Sequence, residues 1–390
     1  MGKSIAVFFL LVPACLLSVI GGCGPAEAVW AGIPLSDPLQ FLHLEQELRP
    51  GPQAVEELFS SDKVVEFVLA GDFSRLKKDR RQESEEIPGQ IAVRGPDGAA
   101  VEVPIQLRTR GKFRLQKRIC SDPPLRLNFP ETERFGTLFD GLDKLKLVTH
   151  CRDSDRYEQN LLEEYLAYRI YNHLTDISFR VQLARITYLD SSGENDPVTR
   201  MAFLIEDKDA LAARLGGMIM DAPSTYPTDF VLNQLSLFYV YQFMVGNVDW
   251  GTGTSHNVEI LRLEDGHHPV PYDFDWTGLV DAPYAGPNEL TEHYHDEVRD
   301  RVYWGVCVPG IDYQRTFERF IVAKEAVLAQ ARNQVGLSER NARSAVEYLE
   351  EFYDILDDER DARAVIISAC RRWNIKNDPT PGLVSGGTPS

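Results

Sequence analysis

Neither CxxC nor HExxH occurs anywhere in the 390 residues, which removes the usual zinc spacings. No GxGxxG run is present, so no glycine-rich loop is encoded to cover phosphates. Past residue 20 there is no further long apolar stretch, and the body therefore has no membrane-spanning helix of its own. Positive charge is also scarce: 41 Lys and Arg face 59 Asp and Glu, a formal charge of −18. A long nucleic-acid backbone is a poor partner for such a surface, whereas a cation or a metal-bridged small ligand is acceptable. What remains is 43% apolar and 10% aromatic, enough for one large core or two lobes and too much for wholesale disorder.

The N-terminus reads as an export signal. Residues 5–20 are almost wholly apolar behind Lys3, too short to span a bilayer comfortably and too near the terminus to belong to a core. Two cleavage sites compete: Ile20-Gly21-Gly22-Cys23 resembles a lipobox, which would lipidate Cys23, and Ala26-Glu27-Ala28 fits an ordinary small-x-small site. The expected location is extracytoplasmic, as an envelope lipoprotein or a secreted or periplasmic protein, with the membrane touched only through a lipid at Cys23. Residues 23–60 read as linker and lead-in. Residues 376–390, rich in Pro, Gly and Ser, read as a disordered tail.

Four cysteines lie in the body: Cys120, Cys151, Cys307 and Cys370. Residues 125–129 and 145–150 read as strands, with Cys120 before the first and Cys151 closing the second. Antiparallel pairing would bring those ends together and allow a Cys120–Cys151 bridge; two reduced buried thiols are the alternative. Cys307 with Cys370 is the remaining combination.

Residues 61–206 are strand-rich and residues 207–375 helix-rich. In residues 101–110, Val101, Val103, Ile105 and Leu107 point one way, while Glu102, Gln106, Arg108 and Arg110 point the other. Residues 106–118 also carry Lys112, Arg114, Lys117 and Arg118 with no acid, a local inversion of charge that suits phosphates or, more plainly, a solvated basic edge. Arg126 and Lys146 repeat the pattern on the next two strands. A helix over 157–174 follows, with Glu163 and Glu164 beside its apolar stripe, and then a strand pair at 185–189 and 200–206.

The most informative stretch follows an apolar helix at 229–245. Asp249, a loop, Asn257, a hairpin and Asp273-Phe274-Asp275 appear in the order that phosphoryl transfer from a nucleotide requires. One carboxylate positions the attacking hydroxyl, while an amide and a second carboxylate hold divalent metal on the phosphates. On this reading Asp249 is the base and Asn257 and Asp273 are metal ligands, with Asp275 joining or replacing Asp273. His293-Tyr294-His295 lacks a third spaced ligand and reads as an ordinary surface or core feature. Trp250, Trp276 and Trp304 read as core or wall residues.

Several short motifs together resemble the spore coat protein H family of CotH-type kinases: Arg110-Gly111, Leu125-Arg126-Leu127-Asn128-Phe129, Lys144-Leu145-Lys146-Leu147, Asn160, Phe203-Leu204-Ile205-Glu206, Asn247-Val248-Asp249, His256-Asn257 and Tyr272-Asp273-Phe274-Asp275. The resemblance implies an α+β, two-lobed protein-kinase-like fold, with an antiparallel-sheet N-lobe and a mainly helical C-lobe. It implies transfer of phosphate from ATP or another nucleotide, with Mg or Mn, to a protein or envelope hydroxyl. It gives Asp249 the catalytic role and Asn257 and Asp273 the metal. Arg108, Arg110, Arg126 and Lys146 become the phosphate contacts, and Glu164 the acid that orients Arg126 or Lys146. Residues 204–207, with Glu206, become the hinge beside adenine.

Overall fold

The computed structural model describes residues 58–372, apart from positions 83, 96, 130–135, 221–225, 288–291 and 295. The export segment, Cys23, His295 and the C-terminal tail therefore lie outside the described residues, which all belong to the compact unit Asp37–Ser390.

Seven strands are built from sequence that alternates or is apolar throughout: β1 (Val65–Gly71), β2 (Ile87–Arg94), β3 (Ala100–Thr109), β4 (Leu125–Asn128), β5 (Lys144–Val148), β6 (Val181–Asp190) and β7 (Val198–Ile205). They close into a barrel in the order β1-β2-β3-β4-β5-β7-β6. Neighbours pair antiparallel except at the seam, where β1 runs parallel to β6 with Val65 opposite Ala184. The alternation in β3 puts Val103, Ile105 and Leu107 inside, against Leu125, Leu127, Leu145 and Leu147 of the next two strands. Gly89 on β2 lets that interior close: a Cβ there would meet Leu107 Cδ1 at 2.4 Å.

This closed, mixed barrel corrects the expectation of a two-lobed kinase-like fold with an antiparallel-sheet N-lobe. The physical reason lies in β1, β6 and β7. Every residue of β1 is buried, which requires a neighbour on each edge and cover on each face. In β7, Ala202 and Leu204 face the barrel, while Met201, Phe203 and Ile205 join a second core outside it. That second core is continuous with the helices, so strand-rich and helix-rich halves share packing rather than forming separate lobes.

The helices are α1 (Phe73–Lys78), α2 (Asp155–Leu174), α3 (Lys208–Leu215), α4 (Leu232–Met244), α5 (Tyr313–Arg332), α6 (Glu339–Asp357) and the short α7 (Glu359–Ala362). Nearly all of α4 is buried, consistent with a sequence that is apolar around its whole circumference. It hands the chain to the ribbon β9 (Val258–Leu263) and β10 (Gly266–Pro271), to which the two-residue strand β8 (Met218–Ile219) adds an edge.

Both expected disulfides are present. Cys120 and Cys151 are joined at a Cα separation of 4.6 Å, and Cys307 and Cys370 at 5.0 Å. The first follows from the antiparallel β4–β5 pair, extended by Asp122 N–H donating to Cys151 O at 2.9 Å. Two such bonds suit an oxidising, extracytoplasmic compartment. Among the described residues no helix is long and apolar enough to cross a membrane.

Candidate functional site

The loop after α4 is fixed before any ligand is considered. Gly246 turns the chain at φ 66°, and a Cβ there would lie 2.2 Å from the Tyr348 hydroxyl. Asn247 Oδ1 accepts the Asp249 N–H at 2.9 Å, and Gly251 and His256 exchange both backbone hydrogen bonds at 3.0 Å, closing the loop like a tiny hairpin. Asp249 is thereby held against the foot of β9. Its Oδ2 accepts from Asn257 Nδ2 at 3.1 Å, its backbone oxygen from the same nitrogen at 2.8 Å, and its Oδ1 from His256 Nε2–H at 2.9 Å. The hydrogen bond that His256 donates to Asp249 raises the His256 pKa against the effect of burial.

The β9–β10 ribbon then returns the chain to the same place. Tyr272 N–H donates to Asn257 O at 3.0 Å, so Asp273 follows directly beside Asn257. Asn257 and Asp273 both adopt left-handed backbone, φ 53° and 63°. This conformation is several-fold enriched in Asn and Asp and is a frequent mark of functional positions. The Tyr168 hydroxyl on α2 accepts the Asp273 N–H at 2.8 Å. Thus Asp249, Asn257 and Asp273, separated in the sequence, sit at the two feet of one ribbon.

Arg114, on a single 3-10 turn at Phe113–Leu115, ties this place to α2. Its guanidinium spans Glu164 at 3.0 and 3.1 Å, Asp273 Oδ1 at 2.8 Å and Asp275 Oδ2 at 3.2 Å, with only 8% of its side chain exposed. Burial opposes charge on Arg114, but Asp275, Glu164, Tyr284 and Asp273 overcome it and raise its pKa. Burial also opposes ionisation of Asp273, yet Arg114, Arg110 and Lys146 hold its pKa below the usual carboxylate range, and its side chain remains 37% exposed. Asp275 differs. Burial pushes its carboxyl up to about 7, and Tyr284 O–H donates to Oδ2 at 2.8 Å. Asp275 is therefore part of the wall behind Asp273.

The basic face of the barrel supplies the opposite charge. Arg108, Arg126 and Lys146 stand directly across from one another on β3, β4 and β5. Arg108 Nε is 3.9 Å from Glu86 and Arg126 Nη2 is 3.7 Å from Asp207, loose pairs that leave both guanidinia available. Lys146 is buried, with Nζ 5.1 Å from the Phe179 ring centre and 5.0 Å from that of Tyr272. Burial, reinforced by Arg110, lowers its pKa to about 8. Because the folded chain binds this proton less well than the unfolded chain, the charge costs stability at all pH values below 8. The cost disappears above the unfolded lysine pKa of about 10.4. Lys146→Met is therefore expected to raise stability at pH 7 by about 1–3 kcal/mol, with the gain shrinking between pH 8 and pH 10.5. Urea unfolding at pH 7 and pH 10 checks this; a variant less stable than the parent at pH 7 would show that Lys146 carries no such strain.

These contacts give two of the expected residues partners other than those anticipated. Glu164 orients Arg114 rather than Arg126 or Lys146, because α2 presents that carboxylate to the 3-10 turn. Glu206 is 1% exposed, and both its oxygens are taken by Arg180 and Arg214 at 2.9–3.0 Å. Its side chain is thereby saturated and pins β7 to α3. Arg114 and His256 were the functional neighbours least visible in the sequence. Arg114 lies inside the acid-free run, and His256 immediately precedes Asn257. Trp250 packs edge-on against Phe238 in the core, and Trp276 edge-on against Phe113 in the wall, while His293 is exposed.

Among the described residues no group of three or more His, Cys, Asp or Glu is placed to hold a metal. The donor set is narrower and harder: the Asp273 carboxylate, and Asn257 Oδ1, which is left over once Nδ2 has bonded Asp249. Two oxygen donors fit Mg²⁺ or Mn²⁺ of the kind completed by water and substrate phosphates rather than by a full protein cage. No protein-family model matches the sequence, and comparison with curated proteins finds no match.

Proposed function

We propose that the chain is an exported phosphotransferase moving a phosphoryl group from a nucleotide such as ATP to a hydroxyl of a protein or another envelope component. The observation that carries this reading is the meeting of Asp249, Asn257 and Asp273 at the feet of the ribbon, with Asn257 Nδ2 3.1 Å from Asp249 Oδ2. Lys146 and Arg110 are near enough to depress the Asp273 pKa, so cationic groups and metal-type ligands share one locality. The resemblance of these same motifs to CotH-type kinases belongs to this reading at the level of the site residues.

In the proposed reaction Asp249, steadied by His256, accepts the proton of the acceptor hydroxyl. The hydroxyl oxygen bonds to the terminal phosphorus, the bond to the bridging oxygen breaks, and a nucleoside diphosphate leaves. Arg110, Arg126 and Lys146 offset charge on the phosphates. Bound Mg²⁺ or Mn²⁺ supplies further neutralisation of that charge. Asn257 and Asp273 are the residues that would hold it. Anchoring through a lipid on Cys23, or release after cleavage at Ala28, completes the proposal for where the chain works.

Nucleotide with Mg or Mn is expected to raise the melting temperature of the mature chain, by about 2.7 kcal/mol of stabilisation at a hundredfold excess over Kd. The effect should vanish in Asp273→Ala and persist in Asp249→Ala. A melting curve that no nucleotide and metal combination moves would favour a partner-binding role without catalysis. Release of phosphate from simple phosphoesters without nucleotide would favour a hydrolase, although Asp275 faces Arg114 and Tyr284 rather than completing a third ligand.

A further inference from the structure

Beside the first turns of α2, Arg156, Arg299 and Arg340 line a cavity of about 540 Å³. None of the three is in an ion pair among the described residues. Arg156 and Arg340, both exposed, have no side-chain hydrogen bond either among the described residues, in a chain where most arginines are paired or bonded to backbone oxygens. The acids flanking Arg156 are not available to it: Asp155 and Glu158 both accept from Arg200, at 3.2 and 3.1 Å. Arg299 is held in place from two sides. Its Nη1 donates to Gly278 O at 3.4 Å, and its guanidinium lies 4.7 Å from the Tyr348 ring centre.

Placement adds a small cost, because the two helix-borne arginines are exposed and partly screened by water. Arg156 and Arg340 are each the second residue of a long helix, α2 and α6, where the helix dipole disfavours a cation. The two helix starts and three guanidinia surround one volume, and an anion there would relieve all of these interactions together. Two acids share the lining. Asp281 is exposed at the rim. Glu163 is buried, and accepts from Asn341 Nδ2 at 2.8 Å and Asn160 Nδ2 at 3.1 Å; burial pushes its carboxyl up to about 7, so its opposing charge is reduced at neutral pH.

We propose that this cavity is an anion site for a phosphate monoester or inorganic phosphate, gripped by Arg156 and Arg340 at two helix starts and by Arg299 from the chain between β10 and α5. Three guanidinia approaching from three directions suit a tetrahedral group with three peripheral oxygens better than a planar carboxylate. The volume accommodates a phosphate together with the side chain that carries it. The site does not depend on the phosphotransfer reading, since none of its arginines touches Asp249, Asn257 or Asp273.

The test uses the full mature chain without nucleotide or metal, with inorganic phosphate titrated at fixed ionic strength and binding read by calorimetry and melting temperature. Phosphate is expected to bind and to raise the melting temperature. Arg156→Ala/Arg340→Ala should weaken binding at least about tenfold, while its unliganded melting temperature stays level or rises by about 1–2 °C as two first-turn cations are removed. A phosphoserine peptide binding more than about tenfold more tightly than phosphate would support the site and assign it to a phosphorylated chain; equal affinity would support it and assign it to the free ion. Phosphate binding of equal strength in the double variant, or no binding of either probe to the parent at about 20 mM, would overturn the proposal.

Discussion

Arg114→Met is expected to destabilise the chain by about 3–5 kcal/mol at pH 8, the largest stability loss of any single change at the site. Removing the guanidinium leaves Glu164, Asp273 and Asp275 facing one another with their shared cation gone. Burying unpaired carboxylates costs far more than the pair contributed, because the low-polarity surroundings cannot replace the lost charge. The sign of the pH dependence follows. With Arg114 absent, all three acids gain higher pKa values in the folded state than in the unfolded chain, so folding is penalised wherever they must ionise. The penalty should therefore be small at pH 4 and grow as the pH rises to 8. Urea unfolding of parent and variant at pH 5 and pH 8 reads this directly. A loss below about 1 kcal/mol at pH 8, or a loss independent of pH, would mean that water reaches the cluster and the guanidinium is not its organising charge.

Asp249→Asn is expected to lower the proposed phosphoryl transfer by about 10²–10⁴-fold while leaving nucleotide affinity within about threefold of the parent. The amide oxygen of asparagine can still accept from His256, and Asn257 Nδ2 keeps its bond to the backbone oxygen of residue 249 while losing the one to Oδ2, so the loop should keep its shape; the amide cannot take the proton of an acceptor hydroxyl. Single-turnover transfer to a hydroxyl acceptor, measured beside nucleotide binding, separates the two effects. Activity retained above one-tenth would remove Asp249 from the base role, and a parallel loss of nucleotide binding would recast it as a structural residue.

Much of the local architecture was legible in the sequence because each signal has a simple period. The alternation in residues 101–110 produced β3 with Arg108 outward and Arg110 just past its end, and the helix over 157–174 is α2 less two residues at its start. The cysteine pairing followed because strand direction fixes which ends meet. Barrel closure was not legible in the same way. The run Val65–Gly71 is apolar apart from Glu66, but its burial on both faces depends on β6, whose partnership with β1 spans more than a hundred residues of chain. At the site, the order Asp249, Asn257, Asp273 survived translation into space because a short ribbon has only one way to return. Arg114 stood out only as one cation of a basic run, and its partners were illegible for the opposite reason. Its three acidic partners come from α2 and from the chain after β10, and no spacing rule connects those positions to residue 114.

The parallel seam has a consequence for how the protein is made. While it emerges in N-to-C order, β1 can pair with β2 at once, yet its other edge must wait until β6 and the connecting α2 have been synthesised. During that interval a strand that is apolar apart from Glu66 lies with one side open, a template for unwanted association. Translocation in an unfolded state, with completion of the barrel deferred until the whole cylinder is available outside the cytoplasm, would keep that exposed edge brief. Oxidation of Cys120 and Cys151 at the opposite side of the barrel would then lock strands that are already in register.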